Sequence, residues 1–309
     1  MLTEPIRSES TSLLQDGRLH TIPIGRREAG STVRPKLKFS INQITTYRWS
    51  FEEDVRNYES AAIDAIGVWR SKLDNFEDYD DIDILQDSDL AVSSISWAGG
   101  FTGTNGYSYK EAVADAFDSL YVASQLNADC LVVASGPRSG HTVNHSRRLF
   151  IDALKELADA AAVLEVDLCI QPMRPRFAQN WTFINTLDQA MEIIDAVDHR
   201  SVKLAFDVYQ LWQEENLLGR LPGLIPDIGL VQLSDWREPT RSDTDRCMIG
   251  DGCIPLDMIL DCLADHDYSG YCELQIWSDE LWQSDYNQLI ELGQDRFEQL
   301  CDRSAVLVD

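Results

Sequence analysis

From residue 37 onward, short apolar runs alternate with longer stretches in which apolar residues recur every three or four positions, the pattern of strands and helices taking turns along a chain. Eight runs fit buried strands: 37–42, 63–69, 92–97, 130–134, 167–171, 202–207, 229–234 and 271–276. Helical spacing is clearest over 109–126 and 145–164, and 256–266 and 280–300 supply the last helices. Ser108 followed by Glu111 reads as a capping box that opens the first of these. Repeated βα units build parallel sheets, and eight of them suit a closed (β/α)8 TIM barrel. A doubly wound open sheet accommodates the same periods, because periodicity does not encode closure. Residues 1–36 are polar, rich in Ser, Thr and Arg, and are expected to form an N-terminal extension ahead of one barrel domain over 37–309.

Composition narrows the partners more than the fold. A chain of 309 residues with 44% hydrophobic content can bury one large core. Its formal charge of −26 repels phosphate backbones and anionic lipid, so neither nucleic acid nor membrane is an expected partner; a homo-oligomer is left open. The seven cysteines form no C-x-x-C pair, and several lie in apolar runs where a thiol acts as a small hydrophobe. A reducing compartment without structural zinc is the expectation. No run resembles a signal peptide or reaches membrane-spanning length, so the expected location is cytoplasmic.

Candidate chemistry gathers where the strands end. In a parallel barrel, residues two apart share a side, and the last inward residue of each strand points into the carboxyl-end mouth. By that parity Asp167, Cys169 and Gln171 share one face, as do Lys203, Ala205 and Asp207, then Leu230, Gln232 and Ser234, then Glu273 and Gln275. Gln171, Asp207, Gln232 and Gln275 should therefore meet. Each amide alone reads as a strand-end residue bonded to a loop; four at equivalent heights read as a pocket. Glu273, lower in the barrel, is expected to pair with Lys38 or Lys203. Trp69, Trp97, Trp236 and Trp277 lie at or just beyond strand termini, with Trp49, Phe101, Tyr209 and Trp212 in the following loops. Such rings either meet the apolar face of a sugar or seal the barrel end. The loop after the fourth strand carries Arg138, His141 and His145 into a helix with Arg147 and Arg148, and Arg246 follows the seventh strand; these could meet an anionic group or pair with acidic neighbours.

Trp97-Ala98-Gly99-Gly100-Phe101-Thr102-Gly103, Gly140-His141-Thr142-Val143-Asn144-His145, Phe206-Asp207-Val208-Tyr209-Gln210, Val231-Gln232-Leu233-Ser234-Asp235 and Gly250-Asp251-Gly252 are the most specific segments of the chain. Together they resemble the sugar phosphate isomerase/epimerase family of xylose isomerase-like barrels. The resemblance runs from about residue 38 to 300. In that family the fifth strand ends in Glu-Pro, the sixth in Asp-x-x-His, the seventh in His or Gln and the eighth in Glu. The resemblance thus implies catalytic positions at Asp207, Gln171 and Gln275, and metal positions at Asp207, Gln232, Gln171 and Gln275. It implies a divalent ion, Mn, Mg, Co or Zn, yet amides neither hold a hard cation strongly nor shuttle protons, so a weak or absent metal site and no tightly bound cofactor are expected. Contact with a small sugar-like ligand is expected from Trp97, His141, His145, Gln210, Trp236, Arg246 and Trp277. Two readings follow: an isomerase or epimerase with an impaired centre, with Asp235 and Asp251 as substitute loop acids, or a non-catalytic relative that binds a sugar-like ligand or a protein. A metal-dependent nuclease would need a histidine-rich centre and a surface less hostile to DNA.

Overall fold

The structure is a computed structural model that describes residues 36–73, 80–103, 106–177, 180–242 and 244–303. The expected N-terminal extension, apart from residue 36, lies outside the described residues. Eight parallel strands form the barrel: β1 (Lys38–Asn42), β2 (Ala65–Trp69), β3 (Ala91–Gly99), β4 (Cys130–Ala134), β5 (Asp167–Ile170), β6 (Val202–Asp207), β7 (Ile228–Leu233) and β8 (Tyr271–Leu274). Their order, β1–β8–β7–β6–β5–β4–β3–β2, closes on itself. Closure is decided at β1, where Lys38 pairs with Tyr271 of β8 and Ile41 with Ile66 of β2. That excludes the doubly wound alternative. The eight expected strands are all present; β3 alone runs on past its expected end, with a register shift between Ser96 and Ala98 that leaves Trp97 out of step with β4.

The helices are α1 (Phe51–Ser60), α2 (Asp80–Gln86), α3 (Tyr109–Gln125), α4 (Val143–Leu164), α5 (Leu187–Val197), α6 (Val208–Leu211), α7 (Leu217–Leu224), α8 (Leu256–Asp265) and α9 (Tyr286–Arg303). The capping box at Ser108 and Glu111 is formed, and Ser50 with Glu53 makes a second at α1. Each satisfies two backbone donors that a helix start leaves open. The expected helix 280–300 is divided into a single turn, Leu281–Gln283, and α9.

Two apolar layers hold the fold. The larger lies between strands and helices, where Ile41, Ile66, Leu131, Leu168 and Leu204 meet Leu120, Phe150, Leu154 and Leu157. Burial of each such side chain is worth about 1.5–3 kcal/mol. The smaller fills the barrel axis with Cys130, Val132, Cys169, Ala205 and Leu230. Cys169, Ala205 and Leu230 are on the axis, as parity required, so the strand ends above them project into the mouth.

An acidic group shares the axis. Glu273 is fully buried and accepts hydrogen bonds from Asn42 Nδ2 (2.9 Å), Ser93 Oγ (2.8 Å) and Ser94 Oγ (2.6 Å). The expected lysine partners are elsewhere: Lys203 Nζ donates to the Pro226 carbonyl, and Lys38 Nζ lies over the Tyr271 ring. Both lysines stand at the amino end of their strands, too low to reach a carboxylate in the third residue of β8. Burial raises the Glu273 pKa, opposed by the hydroxyl and amide donors. Gly67 makes the space, since a Cβ there would lie 2.1 Å from Glu273 Oε2.

Candidate functional site

Above this axis the ends of β5, β6 and β7 form one hydrogen-bonded cluster. Trp97 Nε1 donates to Gln171 Oε1 at 2.5 Å, and because an indole nitrogen can only donate, it fixes which end of the Gln171 amide is oxygen. The Gln171 amide nitrogen then points at Gln232 Oε1 (2.7 Å) and Asp207 Oδ2 (3.3 Å). Asp207 receives Arg246 on both oxygens, Nη2 to Oδ2 at 2.9 Å and Nη1 to Oδ1 at 3.3 Å. Its Oδ1 also caps α6 through the Tyr209 amide at 3.1 Å. The Asp207 side chain is fully buried and that of Arg246 nearly so. The guanidinium lies 4.5 Å from the Tyr209 ring centroid.

Gln275 completes the set differently. It is fully buried, yet neither its Nε2 nor its Oε1 has a hydrogen-bond partner among the described residues. A buried amide left unmade on both atoms is costly. It lines a cavity of about 200 Å³ together with Gln171, Gln210, Arg246, Trp97 and Trp277. Trp181, Met173, Asn180 and Thr244 close it from the loops after β5 and β7. Trp97, Trp181 and Trp277 make a three-sided wall, with ring centroids 5.6–6.5 Å apart.

The other expected contacts are placed elsewhere. His141 and His145 pack edge to face at 4.7 Å on the loop leading into α4, with His141 Nε2 on the Thr102 carbonyl and His145 Nδ1 beside Arg148. Neither lines the cavity. Trp236 turns away to pack at a tilt against Tyr209 (4.8 Å) and under Arg174 (4.2 Å). Arg147 pairs with Glu192, not with an anion site. Of the loop aromatics, Phe101 stacks on Phe150 and Trp49 meets Tyr286 edge to face, the sealing role. Asp235 and Asp251 are structural. Asp235 accepts the backbone N–H groups of Trp236, Gly250, Gly252 and Ile254, and Asp251 pairs with Arg296. Gly252 is required there, as a Cβ would sit 2.3 Å from Asp235 Oδ1. Met173, Asn180, Trp181 and Thr244 are the contacts that strand-end parity could not find, because they lie in the loops after β5 and β7 and belong to no barrel-strand register.

The xylose isomerase-like TIM barrel family matches residues 55–300. The chain belongs to this family. Among curated relatives it is 24% identical to inosose isomerase of Halalkalibacterium halodurans over 193 residues, 60% of this chain and 67% of that protein. It is 30% identical to D-psicose 3-epimerase of Ruminiclostridium cellulolyticum over 120 residues, 39% and 38% of the two chains. The second match thus spans well under half of its relative. A protein from Sinorhizobium meliloti 1021 superposes with a TM-score of 0.79 at 26% identity, over 85% of this chain and 98% of the other. The IolI protein, solved with a zinc atom, superposes at 0.75 and 18% identity, over 87% and 99%; it shares the fold.

A divalent ion does not fit the donor set as arranged. Every oxygen of Gln171, Gln232 and Asp207 already accepts a hydrogen bond. What the cluster turns toward Asp207 is positive: an amide NH2 and a guanidinium. Hard cations need several free, preferably charged, oxygens to offset lost hydration. Only Gln275 Oε1 is free among these four residues. Among the described residues there is also no group of three or more His, Cys, Asp or Glu able to hold a metal.

Proposed function

We propose that this isomerase/epimerase-family barrel binds a small hydroxylated ligand, a sugar, polyol or hydroxy-acid derivative, without a divalent metal, and that its proton-shuttling chemistry is lost. The observation that carries the ligand class is Gln275. Its amide presents an NH2 donor and a carbonyl acceptor with no partner among the described residues, and a hydroxyl is a group that can meet both. A bare phosphate or carboxylate would leave the amide oxygen unpaired. Beside it the faces of Trp97, Trp181 and Trp277 suit the C–H side of a ring or polyol chain. Inosose isomerase and D-psicose 3-epimerase, whose names specify cyclic polyol ketone and ketose chemistry, are consistent with that class.

Loss of metal and shuttle is supported by the chemistry of Gln171 and Gln275, which the resemblance matches to the family's glutamates, with Gln232 as the third amide. Asp207 holds Arg246, whose charge stands where a cation would be attracted. An amide cannot take up a proton near neutral pH, and general acid–base assistance is worth about 10²–10⁴-fold. Asp207 alone, bound on both oxygens, does not supply the two-sided transfer that moves a proton between adjacent carbons.

The test has two arms. Calorimetry against ketoses, polyols and hydroxy acids is expected to find binding that EDTA does not alter. NMR in D2O of the bound compound is expected to show no enzyme-dependent exchange of carbon-bound hydrogen. Exchange that depends on Mn²⁺ and disappears in Asp207→Asn would refute the metal-free reading.

A further inference from the structure

A wider groove of about 740 Å³ adjoins the inner cavity. The two share Trp97, Asn180, Trp181, Thr244 and Trp277, so one wall faces both. Beyond it the groove is lined by Tyr47, Trp69, Tyr107 and Trp282. Ring centroids form an unbroken chain: Trp97 to Trp277 at 5.6 Å, Trp277 to Trp282 at 6.2 Å, Trp282 to Tyr47 at 4.7 Å and Tyr47 to Trp69 at 5.6 Å. Tyr47 is 47% exposed, Tyr107 55% and Trp181 39%. Contiguous aromatic surface left open at the end of a barrel marks a contact site.

The platform is rigid rather than incidental. Thr46, next to Tyr47, is locked beneath it: its hydroxyl donates to Asp54 Oδ1 at 2.6 Å, and Lys72 Nζ bonds both the Thr46 carbonyl (2.9 Å) and Asp54 Oδ2 (2.6 Å). Trp282 is fixed by its indole N–H on the Ile44 carbonyl at 2.8 Å. Polar groups interleave with the rings: Ser71, Asn180, Thr244 and the Arg70–Asp115 fork. Flat rings alternating with hydrogen-bonding groups match a sugar, which has a C–H face and hydroxyl edges, better than a wholly apolar ligand.

We propose that this groove is a second sugar subsite and that the ligand is a glycoside. One hydroxylated ring occupies the inner cavity against Gln275, and the next sugar ring lies along Tyr47 and Trp282. The proposal rests on the inner cavity being a sugar site and extends it. Size supports the division. The inner cavity is smaller than the roughly 300–1,000 Å³ that holds a drug-sized molecule, whereas the groove falls within that range. A second ring therefore has to leave through the shared tryptophan wall.

The experiment is calorimetric titration of the full chain with glucose, galactose and fructose, and with cellobiose, maltose, lactose, sucrose and trehalose. At least one disaccharide is expected to bind about tenfold more tightly than either of its component monosaccharides. In Tyr47→Ala/Tyr107→Ala that advantage should vanish while monosaccharide affinity stays within about twofold, and Tyr47→Phe should restore part of it. Both tyrosines are half exposed, so the fold is expected to survive, with thermal unfolding as the check. Monosaccharides that bind as tightly as every disaccharide would overturn the proposal, as would a double variant that weakens both classes equally. If no sugar of either size binds, the inner-site reading fails and the second subsite with it.

Discussion

The cluster depends on which atom faces which. Trp97 can only donate, so it orients Gln171; Gln171 then orients Gln232, and Arg246 claims Asp207. Truncating one partner of a buried ion pair leaves the other charge stranded, at a cost of about 3–5 kcal/mol. Arg246→Ala is therefore expected to lose about that much in urea unfolding; a loss under about 1 kcal/mol would mean that water screens Asp207. Gln275→Ala should act in the opposite way. Its side chain has no hydrogen bond to another described residue to lose, so stability should hold or rise, while ligand affinity measured by calorimetry should fall about 10–100-fold. The convergence of Gln171, Asp207 and Gln232 was readable from strand parity alone. The outward turn of Trp236 was not, because a residue three beyond a strand end follows its loop: here a two-residue ribbon, Asp235–Trp236 against Arg246–Cys247, that swings Arg246 inward and Trp236 out.

At the scale of elements, strands were legible because eight short apolar runs are bounded by polar loops, and parity on β5 to β8 follows from a period of two. The shift at Ser96 and Ala98 was not, since Ser93, Ser94 and Ser96 already break the apolar pattern of β3 and none of them marks the step. Helices α1, α2, α5, α6 and α7 were not located from spacing; α1 is dominated by acidic and polar residues, α2 and α6 span only two turns or fewer, and α7 contains Pro222. Glu273 shows how β8 stores a polar group inside the axis. Its folded pKa is raised by burial above the ordinary glutamate value of about 4.3, so the native state binds the extra proton. Stability from this group is present below the unfolded pKa and is lost as pH rises through the folded one. Glu273→Gln is expected to flatten that loss: the variant should gain on wild type in urea unfolding at pH 8 relative to pH 4. Equal pH profiles for the two proteins would show that Glu273 titrates normally.

For the whole molecule, closure of the barrel and the surplus of acid matter most. Closure required only that β1 meet β8, a pairing of residues more than 200 apart that no local signal announces. A charge of −26 repels itself in the compact state, and salt screens that repulsion. Raising NaCl from about 0.05 M to about 1 M should lift Tm by several degrees, since about 1 kcal/mol shifts a domain of this size by about 2–4 °C; no change would mean that the acids are already compensated locally. No helix among the described residues is long and apolar enough to cross a membrane. The metal-free reading is tested most directly by isothermal titration of EDTA-treated protein with Mn²⁺, Co²⁺ and Zn²⁺. Wild type should show no tight one-to-one site, and Gln171→Glu/Gln275→Glu should gain affinity for the ion. A stoichiometric site in the wild type that vanishes in Asp207→Asn would mean that the cluster rearranges to bind a cation after all.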